Sequence, residues 1–498
     1  MINPETIAYL TAMRDDEEAR QRAIVQARTY YRGEHPVYLT DRMLEFIGLE
    51  ANDKDHPFRL NLVRTVVKAL TERLKVSGFD SDETEQTDAA GALYKPLARW
   101  AWELWQRERM DARAWDVHKM AVRDGEAFVI VAPDDGTMRA NFYPHQAYTA
   151  TELAGDGYGV KVFYTNDDTD ASIAYATKHW VEKKIERDTK GNVKTVNVKR
   201  LTMYWPDRIE RYIWIDGEWQ QYKEQGELWP KPWVDDDGNP LGVPVICFKN
   251  EDHRDEAADA IGLNDAANKA LVDLIAAGDL TAFRFFMAFG FYPTYDGQPP
   301  ASDASNMWRI EPGAVLGTTR PANEASWETV DGADLDNLIS YVGSLIQWVA
   351  MTTDTPLSRF LTTKQVAAEG TLKQQEGPLV AKVEARQIIF GDAWEDCLEM
   401  ARRIENTFYR ARLPEAQLYT TWAPAATRDE GAELDAAVKM QSVGVPQRKI
   451  WARLGFSQAE IASMEAMKSE EDAAKLEREA ALIQARGPVA FAGNGRGN

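Results

Sequence analysis

HWVEKKIERDTKGNVKTVNVKRLTMYWPDRIERYIWIDGEWQQY, residues 179–222, decides the fold of the middle of this chain. Residues 179–187 and 193–204 are two runs rich in β-branched and aromatic side chains. Thr189, Lys190, Gly191 and Asn192 lie between them, which predicts a hairpin. Residues 209–215 then alternate apolar and polar, Asp216-Gly217 supplies a two-residue turn, and residues 219–222 return. Upstream, residues 127–131 and 160–164 read as further strands, and residues 243–248 close a β-rich region spanning 126–250.

Helical periodicity flanks this region on both sides. Residues 4–31 read as one helix, capped by Asn3 with Pro4 at the first helical position and ended by Gly33 and Pro36. Residues 58–76 place Leu62, Val66, Ala69, Leu70 and Leu74 near helical spacing, with Ser77-Gly78 as the stop. Residues 92–123 read as one long helix whose Leu97, Trp100, Leu104, Trp105, Trp115 and Met120 share a face. Four tryptophans in that stretch call for a thick core or an interface. After the β region, residues 259–290 return to helix. Residues 291–332 carry Pro293, Pro299, Pro300, Pro312 and Pro321 and read as loop, with short strands around 308–310 and 314–316. Residues 333–351 form another helix, 352–370 a polar Thr-rich segment, and 371–410 a long helix interrupted at Gly377-Pro378. From about residue 428 the chain reads as Ala- and Glu-rich helices ending in a flexible Gly-Asn tail. The class is α+β.

Composition narrows the function. The 498 residues hold 58 Lys+Arg against 79 Asp+Glu, a formal net charge of −21. That length allows roughly three domains, or one interrupted domain. Abundant aromatic and aliphatic residues exclude intrinsic disorder, and two cysteines, Cys247 and Cys397, exclude a disulfide scaffold. The acidic balance excludes a nucleic-acid binder that works by bulk positive charge. The N-terminus has no basic n-region and no apolar h-region, so a reducing cytoplasm is expected. The most membrane-like stretch, residues 271–292, contains Asp273, Asp279 and Arg284, each costing roughly 3 kcal/mol at a bilayer centre, so no membrane association is expected.

The search for catalytic chemistry finds nothing specific. There is no G-x-x-x-x-G-K-[ST], no G-x-G-x-x-G and no H-E-x-x-H, and no two of the six histidines sit within one helical turn. Asp235-Asp236-Asp237-Gly238 resembles a calcium loop faintly, but a turn is the stronger reading. Trp205, Trp214, Trp219, Trp229 and Trp233 could line a sugar groove, with packing on a twisted sheet the weightier alternative. No catalytic residue, metal or cofactor is expected.

Several strings, in order, carry a more specific signal. They are Tyr30-Tyr31-Arg32-Gly33, Asn61-Leu62-Val63-Arg64, and Arg73-Leu74-Lys75-Val76-Ser77-Gly78-Phe79. Trp105 with 109–111 and Gly125-Glu126-Ala127-Phe128-Val129 follow. Then come Gly242-Val243-Pro244-Val245, Phe248-Lys249-Asn250, Gly262 with Asp273, Thr353-Asp354-Thr355-Pro356, and the helix holding Trp394. Together they resemble the portal proteins of tailed bacteriophages, in particular long-tailed, siphovirus-like phages of actinobacteria and other Gram-positive hosts. The resemblance spans about residues 25–460.

That resemblance implies a portal-like subunit with an α/β wing, a two-helix stem, a small α/β clip, a kinked long helix and an α-helical crown. By position, 1–258 would be the wing, 259–290 and 333–351 the stem helices, and 291–332 the clip. The tunnel loop would be 352–370, the kinked helix and wing return 371–427, and the crown with its tail 428–498. It further implies a homo-oligomeric ring, of twelve copies, at one capsid vertex, assembled in the host cytoplasm. Such a ring passes double-stranded DNA during packaging and ejection. Its partners would be the terminase large subunit, a head-tail connector or adaptor, and the major capsid and scaffolding proteins. Arg359, Lys364, Gln365 and Lys373 would face the DNA from or beside the tunnel loop. Lys269 and Arg284 would line the stem, and Trp308 and Arg309 would serve docking at the clip. Residues 262–332 hold nine acids and four bases, a balance suited to a wall that DNA slides past. An acidic Trp-rich carbohydrate-active enzyme and another virion adaptor are the competing readings.

Overall fold

The computed structural model describes residues 4–11, 17–36, 59–87, 93–153, 156–165, 172–187, 193–224, 226–282, 285–289, 323, 326–330, 334–361, 369–426, 430–454, 456 and 458–485. The two runs at its centre are strands. Ile173–Arg187 and Val193–Tyr204 pair antiparallel in one register from Ala176↔Tyr204 to Arg187↔Val193. The turn expected at Thr189 to Asn192 lies outside the described residues. Arg208–Ile215 and Glu218–Gln221 form the second hairpin around Asp216-Gly217, where φ is 53° and 85°. The sheet runs, in spatial order, Glu218–Gln221, Arg208–Ile215, Val193–Tyr204, Ile173–Arg187, Asp156–Tyr164 and Thr149–Leu153, with Lys231–Pro232 pairing off Arg208–Ile215.

Alternation gives this sheet two different faces. One buries Tyr175, Leu201, Met203 and Tyr212 with Leu10, and Phe163, Trp205, Trp219 and Trp229 pack against them. Trp205 stacks on Tyr175 at 4.8 Å and Trp214 meets Trp219 edge-on at 5.1 Å. Trp233 is buried and its indole N–H donates to the Gly242 carbonyl at 2.8 Å. Trp205, Trp219 and Trp229 are therefore engaged in packing on this face rather than arrayed along a groove.

The chain divides into two compact units. The first comprises Met1–Arg28, Val66–Ala258 and Gln365–Asn498, the second Thr29–Thr65 and Asp259–Lys364. Besides the large sheet, the first unit holds a three-stranded antiparallel sheet ordered Val245–Lys249, Glu126–Pro133, Ala140–Gln146. Helices Pro96–Arg107, Met110–Asp124 and Glu369–Ile404 build the core around it. Trp394 of the last helix is fully buried, 4.6 Å from the Phe248 ring and 4.9 Å from Trp105. Its Nε1 donates to His118 Nε2 at 2.9 Å, so His118 carries its proton on Nδ1, which donates to the Leu74 carbonyl at 3.2 Å. Beyond this helix a π turn, Glu405–Tyr409, buries Glu405, which accepts from Trp100 Nε1 at 2.8 Å and from Arg107 and Arg139.

Several expected elements are redrawn. Of the helix expected over 4–31, Pro4–Thr11 and Glu17–Arg32 are helical, and 12–16 lies outside the described residues. The helix expected over 58–76 is Leu62–Thr71, and Val76–Ser81 is a strand paired with Leu418–Trp422. The apparent helix over 92–123 breaks at Arg109, which adopts a left-handed φ of 54° between two helices. Pro378 does not end its helix, which runs unbroken from Glu369 to Ile404 with Leu379 and Val383 buried on one side. Tertiary packing holds the turn that lacks the proline N–H.

The second unit pairs helices Ile261–Ala282 and Leu335–Thr352, which pack along each other. The helix expected over 259–290 stops at Ala282, and Phe285–Phe289 is a strand antiparallel to Ser326–Val330. Phenylalanine-rich, it fits a pleated surface better than a helix end. The strands expected near 308–310 and 314–316, and the C-terminal tail, lie outside the described residues.

Burial pushes the His118 imidazole down to about 3, against an ordinary 6.5. Between those values the unfolded chain binds a proton that the folded chain refuses, so this residue's contribution is lost as pH falls below 6.5. We expect the fall in Tm between pH 7 and pH 5, read by circular dichroism, to be smaller in His118→Gln than in the native chain.

Candidate functional site

The sequence strings singled out above meet one another in space, unit by unit. In the second unit, Asn61 caps helix Leu62–Thr71, its Oδ1 accepting from the Arg64 N–H at 2.9 Å. Its Nδ2 donates to the Tyr30 carbonyl at 2.8 Å and the Tyr31 carbonyl at 3.2 Å. Arg64 adds Nε to Tyr31 O at 2.8 Å and Nη2 to Arg32 O at 2.7 Å. Gly33 turns the chain there with φ 79°, and a Cβ would stand 3.3 Å from Asn61 Nδ2. The string 30–33 is thus a helix C-terminus whose free carbonyls are taken up by the string 61–64.

Helix Ile261–Ala282 supplies the other half. Asn268 Oδ1 accepts from the Leu60 N–H and its Nδ2 donates to the Leu60 carbonyl, both at 2.8 Å. Asn264 Oδ1 accepts from the Leu62 N–H at 3.0 Å. Tyr30 donates its hydroxyl to Asp265 Oδ2 at 2.7 Å and stacks on the buried His35 ring at 4.9 Å. Burial lowers the His35 pKa, against the raising effect of Asp265, so its neutral ring accepts at Nε2 from the Asn264 and Asn268 amides at 3.5 Å. Asn264 and Asn268 were not singled out in the sequence. Their i, i+4 spacing on a helix is the only signal they leave.

In the first unit the string at 125–129 pairs with that at 248–250, Phe248↔Ala127 and Lys249↔Glu126. Gly125 has φ 86°, and a Cβ there would lie 2.3 Å from the His253 carbonyl oxygen. Asn250 donates its N–H to Gly125 O at 2.9 Å, and the buried Arg386 guanidinium reaches Asn250, Glu251 and Glu256.

The residues expected to meet DNA fall differently. Helix Leu335–Thr352 ends in a tight turn. There Thr353 Oγ1 donates to Val349 O at 2.7 Å and the Thr355 N–H to Ala350 O at 3.0 Å, with Asp354 at φ 52°. Thr353 and Thr355 are buried, and the 3₁₀ turn Leu357–Arg359 that follows leaves Arg359 exposed. Lys269 is exposed on helix Ile261–Ala282, and Lys373 stands on helix Glu369–Ile404. Arg284, Trp308, Arg309, Lys364 and Gln365 lie outside the described residues. Asp235 is a turn former: its Oδ1 accepts from the N–H groups of Asp237 and Asn239 at 2.9 and 2.8 Å. Among the described residues no group of His, Cys, Asp and Glu could hold a metal, and no helix is long and apolar enough to cross a membrane.

The family model described as "phage portal protein, SPP1 Gp6-like" matches residues 12–476. The chain belongs to that family. The portal protein of Mycobacterium phage D29 is 23% identical over 434 residues, covering 82% of this chain and 79% of the relative. The portal protein of Mycobacterium phage L5 is 22% identical over 434 residues, covering 82% and 78%. A solved chain from the virion of a native gene transfer agent particle is similar at 9% identity and a TM-score of 0.39, covering 85% of this chain and 96% of that one. As a portal protein, this chain is a structural, non-enzymatic component of the virion at the portal vertex, and its family forms an oligomeric ring within the capsid. The carbohydrate-enzyme and adaptor readings are set aside by the same match.

Asn268→Ala removes both partners of the Leu60 peptide. We expect a loss of about 1–3 kcal/mol, measured by chemical denaturation, together with faster hydrogen exchange at the Leu60 amide.

Proposed function

We propose that this chain forms a twelve-membered ring whose channel passes double-stranded DNA. In this reading helices Ile261–Ala282 and Leu335–Thr352 are the stem, the chain between them is the clip, and 352–370 is the tunnel loop. The three-stranded and large sheets with the helices packed on them form the wing, Glu369–Ile404 is the long helix that follows the loop in sequence, and 428–498 forms the crown. The observation that carries it is the composition of the two packed helices in a chain of this family. They hold Asp265, Asp273, Asp279 and Asp336 against one base, Lys269. Each phosphate neutralised by a fixed cation adds affinity that would stall a moving strand, so a wall of acids with sparse bases suits sliding.

The exposed apolar side chains of the second helix support ring assembly. Ile339, Tyr341, Trp348 and Met351 are each about half exposed or more in the single chain, with Met351 at 70%. A neighbouring copy would cover such a surface. Arg359, presented by the stiff Thr353 to Pro356 turn, makes brief DNA contacts with Lys364, Gln365 and Lys373, and Lys269 and Arg284 do so in the stem. Trp308 and Arg309 meet the terminase large subunit and the head-tail connector. Major capsid and scaffolding proteins are further partners of the ring.

Negative-stain images of the purified protein should show a ring with a central hole, and a monodisperse monomer would count against the reading. Arg359→Ala with Lys364→Ala should lower DNA packaging severalfold with ring assembly intact, and unchanged packaging would remove those residues from the channel. Trp308→Ala should abolish connector or terminase capture by intact rings.

A further inference from the structure

The large sheet has a second face, opposite its aromatic cluster, and that face is not fully packed. Register places Lys178 beside Thr202, Trp180 beside Arg200, and Arg211 beside the same Thr202 on three successive strands. These side chains, with Tyr222 and Trp233, line a pocket of about 310 Å³, within the range of small-molecule sites.

Most charges in it are matched. Arg211 Nη1 lies 3.1 Å from Glu227 and 3.6 Å from Glu224, and Lys231 lies 3.6 Å from Glu227. Arg200 donates Nε to Glu182 at 2.8 Å and lies 3.7 Å over the Tyr222 ring. Two donors remain. Arg200 is 4% exposed, and its Nη1 is buried with no hydrogen-bond partner among the described residues. The Lys178 amine forms no ion pair or hydrogen bond among the described residues and has only the Trp180 ring, at 5.8 Å. Burial, with Arg211 adding repulsion, lowers the Lys178 pKa to about 8, so the amine is still mostly protonated at neutral pH. A buried donor without an acceptor is expensive, and here Arg200 Nη1 lines the pocket beside the partly exposed Lys178 amine.

We propose that this pocket binds a small organic phosphate or carboxylate, its oxyanion taking Lys178 Nζ and Arg200 Nη1 and its flat part lying along Trp180. The aromatic walls and the volume favour an organic anion over a bare ion. Exposed Asp135 and Glu224 line the same pocket and repel an extended polyanion such as a DNA backbone.

Isothermal titration of the full chain with phenyl phosphate, benzoate and inorganic phosphate tests this. Saturable one-to-one binding of phenyl phosphate or benzoate, at least tenfold tighter than inorganic phosphate, is expected, and the ratio of the two organic anions assigns the oxyanion. Lys178→Met should weaken it at least tenfold, Lys178→Arg should retain it, and Lys183→Met, on the other face of the same strand, should leave it unchanged. Circular dichroism of each variant reports folding, and the retained binding of Lys178→Arg separates charge from fold. No saturable binding of either organic anion, or binding indifferent to Lys178→Met, overturns the proposal. An altered subunit assembly in Lys178→Met without anion binding also overturns it, and gives the pocket to a carboxylate of another polypeptide.

Discussion

The first unit depends on one hydrogen-bonded chain through its core, from the Trp394 indole to the His118 ring to the Leu74 carbonyl. It joins three stretches of sequence that are far apart: the connection after helix Leu62–Thr71, helix Met110–Asp124 and helix Glu369–Ile404. It also fixes one tautomer. Nε2 must accept and Nδ1 must donate, so a protonated ring cannot sit there without losing the indole. Phe390 stacks on the same ring at 5.4 Å and Phe248 packs on Trp394, so both layers of the core converge at this point. The three-stranded sheet and the long helix are in register because this polar pair allows few alternatives in an otherwise apolar interior.

Local signals made the hairpins readable, because residues 179–222 contain their own pairing partners and turn chemistry. Features that depend on distant partners were less readable. Val76–Ser81 looked like a helix end because nothing nearby announces Leu418–Trp422, the strand it pairs with. Arg109 gives no sign of a left-handed break, since glycine and asparagine are the usual residues there. Pro378 reads as an interruption of the long helix, and the helix continues through it because packing outweighs propensity. The family strings were legible as strings. Their physical meaning, carbonyls at 30–32 satisfied by Asn61 and Arg64, needed the structure, and Asn264 and Asn268 were passed over because asparagines on a helix look ordinary. Five of the eight expected DNA-facing and docking residues lie outside the described residues, while Arg359 is presented by the turn that Thr353 and Thr355 hold.

The charge of −21 takes on a different sense in a portal protein. Interior bases are largely committed: Arg28 to Asp124, Arg386 to Glu251 and Glu256, Arg107 and Arg139 to Glu405. Such bases hold the unit together. Trp105, Trp205, Trp229 and Trp394 are committed in the same manner, as sheet and core packing. Function in this chain therefore rests on surfaces that many copies share, and the anion pocket on the large sheet stands apart as a site each copy carries alone.

The pairing of Val76–Ser81 with Leu418–Trp422 has a consequence for biosynthesis. Ser77 and its partner Thr421 are 344 residues apart. At ribosomal rates of about 5–20 residues per second, the first strand waits roughly 20–70 s for its partner to be made. Throughout that interval its edge and the Phe79 side chain, fully buried in the finished fold, are exposed to other nascent chains. Chain order thus sets a stretch of vulnerability that ends only when Leu418–Trp422 pairs with this strand.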